Sequence, residues 1–302
     1  MIAKDSLSIV IPTYKGSETV IRLILELYSV FDFEEFEIIL VNDDSPDITE
    51  TLIYKNLKKF KKFKYIRLQN NLGEDAATNI GINYAIYKYI MVMDDDYQHT
   101  PTECSKLYNK IKNFNFDVVY SNYKVKNHSK IRNFFSKVFN YIYLFNTKNK
   151  INYISSFKVF KKSIADQFLL NGNFNKIFID QYILQNNLVI ESFDLDHRKR
   201  MGSSSYTLIK LLKTFLIKIV NRHKIISNIS KYLISFFCLF LIFKIFEIIY
   251  SYLFLKNVYP QGYPTIAILL IVNLIFNYVI FFKFLDNKKS LNITKYLEIN
   301  YT

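Results

Sequence analysis

Cysteine is scarce in this chain of 302 residues, with only Cys104 and Cys238. So few exclude a disulfide-stapled scaffold and a cysteine-based zinc site, and they suit a reducing compartment. Glycine is scarce too, six in all. Neither a P-loop nor a G-x-G-x-x-G sequence occurs, so phosphate cradling by a glycine-rich loop is excluded. His99, His128, His197 and His223 lack metal-ligand spacing. Acidic residues are missing from one region in particular: residues 198–302 hold 15 basic and 3 acidic side chains, against 25 and 23 in residues 1–197. Most of the formal net charge of +14 therefore belongs to the last third. What the chain has in plenty is apolar material, 50% of its residues with 17% aromatics, which excludes a disordered protein and suffices for a core.

The basic third is interleaved with the longest apolar runs, which argues for a membrane surface and against a nucleic-acid partner. Tyr232 to Leu255 is interrupted only by Lys244 and Glu247. As a helix it would reach roughly 36 Å, against about 30 Å of hydrocarbon. A second run, Thr265 to Leu285, carries Lys283 near its end, where it can snorkel. The connection KNVYPQGYP has turn chemistry, and the two runs read as a transmembrane hairpin over 232–285. Lys210, Lys213, Lys218, Arg222, Lys224 and Lys231 precede it, and Lys288, Lys289 and Lys295 follow it. By the positive-inside rule both ends face the cytoplasm, which makes this a multi-pass protein of the cytoplasmic membrane, with residues 286–302 a cytoplasmic tail and no signal peptide in front. A buried hairpin of a soluble protein is the competing reading, favoured by Lys244 with Glu247 and by Asn273 with Asn277. The asparagines also allow homo-oligomers. Leu208, Leu211, Leu212, Phe215 and Ile219 recur at helical spacing, so 207–231 reads as an amphipathic juxtamembrane helix, and Ile131 to Asn146 is similar.

Residues 1–206 alternate short apolar runs with helix-like segments. The runs are Leu7 to Pro12, Glu37 to Asn42, Tyr65 to Leu68, Tyr89 to Met93 and Asp117 to Ser121; the helices are expected near 18–30, 48–62, 75–87 and 102–113. This predicts an α/β domain with a mostly parallel, Rossmann-like sheet. Ligands of such sheets bind beyond the carboxyl ends of the strands. There stand PTYKGSE, NDDSP and the triplet Asp94-Asp95-Asp96. Three adjacent carboxylates repel one another, and a divalent cation bridging to phosphate relieves that cost; Mg²⁺ characteristically takes one or two carboxylates plus substrate phosphates. On an extended backbone Asp94 and Asp96 would point the same way. A solvated acidic turn is the plainer alternative.

SIVIPTYKGSET, EIILVNDDSPD, NLGEDAATNIGI and YIMVMDDDYQHTP resemble, in order and spacing, the signatures of family 2 glycosyltransferases of the GT-A fold. HRKRMGSSSYTL and the hairpin beyond it resemble the branch that makes polyprenyl-phosphate-linked sugars, which includes dolichyl-phosphate mannose synthase and the undecaprenyl-phosphate glycosyltransferases. The resemblance implies a metal-dependent, inverting transfer from a nucleotide sugar, with uridine the default base, to a polyprenyl phosphate. It implies that Asp43 contacts the base, with Pro12, Tyr14 and Glu18 lining that pocket and Asn71, Gly73 and Glu74 over the nucleotide. Asp94 and Asp96 would hold Mg²⁺ or Mn²⁺, with Asp95 between them on the nucleotide side and Gln98 near sugar and acceptor. Arg198, Lys199, Arg200, Ser204 and Tyr206 would take the acceptor phosphate, as cationic and hydroxyl donors suit. Where many members carry an acid, this chain has Ser155-Ser156-Phe157-Lys158, which leaves Asp180 to orient the acceptor. Two rivals share the donor site: an enzyme acting on a polysaccharide or lipid-linked saccharide, and a non-catalytic nucleotide-sugar-binding subunit.

Overall fold

The computed structural model describes residues 6–31, 35–123, 154–170, 178–195 and 299–301, with scattered helical residues between 236 and 274. The chain divides into two compact units, one formed by Met1–Thr207 with Ser290–Thr302 and the other by Leu208–Lys289.

The first unit is built on an eight-stranded mixed sheet. Strands β1 (Ser6–Thr13), β2 (Glu35–Asn42), β3 (Phe63–Arg67) and β4 (Tyr89–Val92) run parallel in the order β4-β1-β2-β3. Their continuous apolar character follows from cover on both faces. Along β1 the side chains alternate: Leu7, Ile9 and Ile11 enter one core cluster and Val10 the other. Helices α1 (Val20–Val30), α2 (Thr49–Asn56) and α4 (Pro101–Phe114) pack on the first face, whereas α3 (Glu74–Asn83) covers the second. Val20, Leu23, Ile24 and Leu27 give α1 its buried stripe at three- and four-residue spacing. Helix α3 lies close to the sheet because Gly81 has no side chain; a methyl there would collide with Val10.

Helix α4 is fixed at both ends. Thr100 and Glu103 form a reciprocal capping box, Pro101 supplies the first turn, and Asn115 closes the helix in the left-handed region at φ 52°. This holds the residues just after β4 at a set height above the sheet. The α2 segment is shorter than its apolar pattern suggested: it ends at Asn56 and continues as a 3₁₀ turn, Leu57–Lys59.

Beyond β5 (Val118–Tyr123) the structure contains elements the sequence pattern had not announced. They are β6 (Lys158–Lys161), α5 (Lys162–Leu170), α6 (Ile179–Gln185) and β7 (Ile190–Leu195). Strand β6 runs antiparallel between β4 and β5, and β7 joins β5 in parallel. The stretch expected to be a tail supplies β8 (Ile299–Tyr301), which forms the sheet's edge antiparallel to β3, with Lys64 opposite Tyr301.

Among the described residues no helix is long and apolar enough to cross a membrane. Of the two runs expected to do so, residues 236, 239–243, 245–247, 250, 251, 254, 265, 266 and 268–274 are described and helical. Leu239, Phe243, Phe246, Phe254 and Leu269 are each 63–68% exposed. The remaining residues of both runs, and the amphipathic stretches 131–146 and 207–231, lie outside the described residues.

Candidate functional site

The parallel strands β1, β2, β3 and β4 end on one edge of the sheet, and the loops that follow them are tied to one another. The Asp43 backbone N–H donates to Thr13 O at 2.9 Å and Leu68 N–H to Asn42 O at 2.9 Å. Lys15 N–H donates to Ser45 Oγ at 3.0 Å, and Ser17 N–H to Asp47 Oδ2 at 3.3 Å. Three of these loops hold a non-glycine residue in the left-handed region: Lys15 at φ 62°, Asp44 at 54° and Tyr97 at 59°. Such a conformation costs about 1–2 kcal/mol at each L-residue, and strain of this kind gathers where a ligand needs a set backbone.

Asp43 is 3% exposed. Its carboxylate accepts the backbone N–H groups of Leu72 at 2.7 Å and Gly73 at 2.9 Å, and its carbonyl accepts from Asn71 Nδ2 at 3.1 Å. The residue expected at the base therefore fixes the loop that leads into α3. Gly73, at φ 95°, begins α3 in a conformation only glycine adopts without strain. Pro12 is buried in β1, Tyr14 is half-buried with Lys15 Nζ over its ring at 5.6 Å, and Glu18 and Glu74 are exposed.

The acidic triplet does not follow the extended run expected for it, because the backbone bends from Asp95 onward. Each carboxylate meets a different partner. Asp94 Oδ2 accepts from Ser156 Oγ at 2.7 Å, Asp95 accepts from the Thr13 hydroxyl, and Asp96, which is buried, accepts from the Gln98 N–H at 3.0 Å. Gly16 makes room for the Thr13–Asp95 pair, since a methyl group there would strike both side chains. Burial first, and then the negative charges of Glu74, Asp96 and Asp95, hold the Asp94 carboxyl well above the usual carboxylate range, against the opposing effect of the Ser156 hydroxyl.

Among the described residues no three His, Cys, Asp or Glu side chains converge to enclose a metal. The donor set fits the other mode, in which one or two carboxylates share a hard divalent cation with substrate phosphates. The excess negative charge around Asp94 is what such a cation would neutralise.

Across the sheet, Asp180 at the start of α6 is engaged. Lys158 Nζ lies 2.6 Å from Oδ1 and 2.7 Å from Oδ2, and the Tyr120 hydroxyl donates to Oδ1 at 2.7 Å. Lys158 is buried, so this is a low-dielectric ion pair completed by a neutral donor. Ser156, Thr13, Lys158 and Tyr120 were not among the residues expected to matter. Only Lys158, a lone cation in the apolar run FKVF, carried a signal. Arg198, Lys199, Arg200, Ser204 and Tyr206 lie outside the described residues.

Residues 8–172, more than half of the chain, match the model of the family described as glycosyl transferase family 2. An uncharacterized protein of Methanocaldococcus jannaschii is 31% identical over 137 residues, 43% of this chain and 58% of that protein. The poly-beta-1,6-N-acetyl-D-glucosamine synthase of Staphylococcus aureus (strain COL) is 34% identical over 131 residues, 42% of this chain and 31% of that protein. The chain thus spans less than two thirds of either relative. Among solved structures, the mannosyltransferase PcManGT from Pyrobaculum calidifontis, in complex with GDP-Man and Mn²⁺, superposes with a TM-score of 0.50 over 70% of this chain and 62% of that one. At 12% identity that likeness is one of fold, a mixed α/β sheet of the GT-A kind.

Proposed function

The chain belongs to glycosyltransferase family 2, and from that premise we propose that it moves a sugar from a nucleoside-diphosphate donor, uridine by default, to the phosphate of a polyprenyl lipid at the cytoplasmic face of a membrane. The observation that carries the donor half is the strand-end cluster in which Asp94 and Asp96 stand beside the loop fixed by Asp43. A divalent cation, Mg²⁺ or Mn²⁺, held by Asp94 and Asp96 would supply neutralisation of the charge on the departing diphosphate.

The chain's own residues do the rest. The Asp43–Leu72–Gly73 contacts hold the nucleotide loop in place before substrate arrives, so its ordering does not count against binding. In a single displacement the bond from the anomeric carbon to the donor phosphate breaks, its electron pair leaving with the nucleoside diphosphate. A phosphate oxygen of the acceptor forms the new bond from the opposite face, with inversion. Such an oxygen is already nucleophilic and needs little base help. This agrees with an Asp180 whose carboxylate is occupied by Lys158 and Tyr120.

Support for the membrane half comes from connectivity and surface. The chain leaves the first unit at Thr207 and rejoins it at Ser290, so an excursion through a bilayer must cross an even number of times. The described helical residues between 236 and 274 present large apolar side chains to the outside. Basic residues dominate both flanks.

The test is transfer by full-length protein in detergent, from a panel of labelled nucleotide sugars to undecaprenyl phosphate with Mn²⁺. The expected product extracts into organic solvent, and Asp96→Ala abolishes it. Retention of metal-dependent transfer by Asp96→Ala would remove the acidic cluster from the reaction. The likeness to a poly-beta-1,6-N-acetyl-D-glucosamine synthase favours a second reading, a saccharide acceptor. Label recovered in a water-soluble saccharide, with none in lipid, would establish it.

A further inference from the structure

We propose that Ser156 is a positioning residue for Asp94, setting which carboxylate oxygen is left for the divalent cation. The inference deepens the donor site proposed above and rests on that reading.

The geometry begins with strand register. Strand β6 is antiparallel to β4 with Lys158 opposite Val92. Continued by two residues, that register sets Ser156 opposite Asp94, and there the Ser156 hydroxyl donates to Asp94 Oδ2 at 2.7 Å. The partner is not a mobile loop side chain, because the residues on either side of it are fastened to other elements. Ser155 Oγ meets Ser121 Oγ of β5 at 2.9 Å, and Ser121 N–H donates to Phe157 O at 3.0 Å. The Phe157 ring stacks on His99, with centroids 4.2 Å apart and planes at 25°. Lys158 is clasped by Asp180 at 2.6 Å.

A carboxylate with two equivalent oxygens turns readily about its last torsion, which is broad and two-fold. A single donor on Oδ2, from a segment fastened on both sides, restricts that freedom and leaves Oδ1 for another partner. Asp95 and Asp96 are held in a comparable way by Thr13 and by the Gln98 N–H, so each member of the triplet has its own fixed donor. Ser156 comes from the segment leading into β6, the neighbour of β4, 62 residues away in sequence. Lys158 opens β6 two residues further on, so Asp94 and Asp180 are both held by this short stretch of chain.

The experiment uses the full chain in detergent with UDP and Mn²⁺ as probes and reads Mn²⁺-dependent UDP binding by calorimetry. Wild type, Ser156→Ala, Ser156→Cys, Ser156→Thr and Asp94→Asn are compared. Losing one hydrogen bond to a charged group should raise the Mn²⁺ concentration for half-maximal UDP binding about tenfold in the Ala and Cys variants. Threonine, which keeps the hydroxyl, should restore it to within about twofold, and the metal-free unfolding midpoint should hold across the three Ser156 variants. A merely structural serine would lower that midpoint and leave the metal dependence alone. An unchanged Mn²⁺ requirement in Ser156→Ala and Ser156→Cys, with binding lost in Asp94→Asn, overturns the role of Ser156 and leaves the donor site standing. Mn²⁺-dependent binding that survives Asp94→Asn overturns both.

Discussion

Replacing Asp43 by alanine should destabilise the protein even when no nucleotide or metal is present. The carboxylate is 3% exposed and accepts two backbone N–H groups, from Leu72 at 2.7 Å and Gly73 at 2.9 Å. Each is a hydrogen bond to a charged group, worth about 1.5–3 kcal/mol by deletion. Alanine removes both and leaves two donors facing a small cavity; admitted water restores part of the loss, for a net cost of about 3–4 kcal/mol. For a domain of this size each kcal/mol lowers the midpoint by about 2–4 °C, so the expected drop is roughly 6–16 °C. Asparagine keeps one acceptor oxygen and should fall between wild type and alanine. The measurement is thermal unfolding followed by far-UV circular dichroism in EDTA, with no nucleotide, so that any contribution from substrate contacts is removed. A midpoint for Asp43→Ala within about 2 °C of wild type would refute the claim that this side chain fixes the loop before α3.

Lys158→Met should cost about 3–5 kcal/mol, because it strands the Asp180 carboxylate in a buried setting, and a denaturant titration will show it as a lower midpoint at unchanged slope. Asp94→Asn should raise the metal-free unfolding midpoint at neutral pH while removing Mn²⁺-dependent UDP binding. A carboxyl held above its usual range weakens the fold as pH rises from the ordinary carboxylate range through its raised value, and asparagine removes that penalty. Asp47 and Asp117 behave oppositely. Burial raises both, but hydrogen bonds outweigh it, from Thr49 and Ser17 onto Asp47 and from Val189 and Lys161 onto Asp117, so each is held below the usual value. Their contribution is present above the ordinary carboxylate range and is lost as pH falls through and below it; unfolding midpoints scanned from pH 6 to 2 should decline less steeply in the Asp47→Asn, Asp117→Asn double variant.

The strands β1 to β5 were legible because each is a run of apolar residues closed by a polar turn, the pattern that cover on both faces demands. Strand β6 was not legible: it has four residues, two of them lysine, and its place between β4 and β5 follows from strand order alone. Strand β8 is three residues long and has meaning only beside β3. The same division holds within the site. Asp94 and Asp96 could be named because adjacent carboxylates at a strand end are uncommon and chemically purposeful. Ser156 and Thr13 could not, since serine and threonine are ordinary in turns and their partners lie 62 and 82 residues away. The second duty of Asp43 escaped notice for another reason: its partners are backbone amides, and a backbone donor leaves no mark on sequence.

The pairing of β8 with β3 bears on the order in which the protein can be made. Roughly 230 residues separate Arg67 from Ile299, and at about 5–20 residues per second a ribosome needs on the order of 10–50 s to cover them. During that interval the outer side of β3 has no partner, while the strands inward of it can already be in place. An open strand edge invites pairing with other chains, and charges along it discourage this. Phe63-Lys64-Tyr65-Ile66-Arg67 carries two such charges in five residues, with Lys61 and Lys62 just before it. Charge density of this kind would disfavour pairing of β3 with other chains during the interval before the eighth strand has been synthesised.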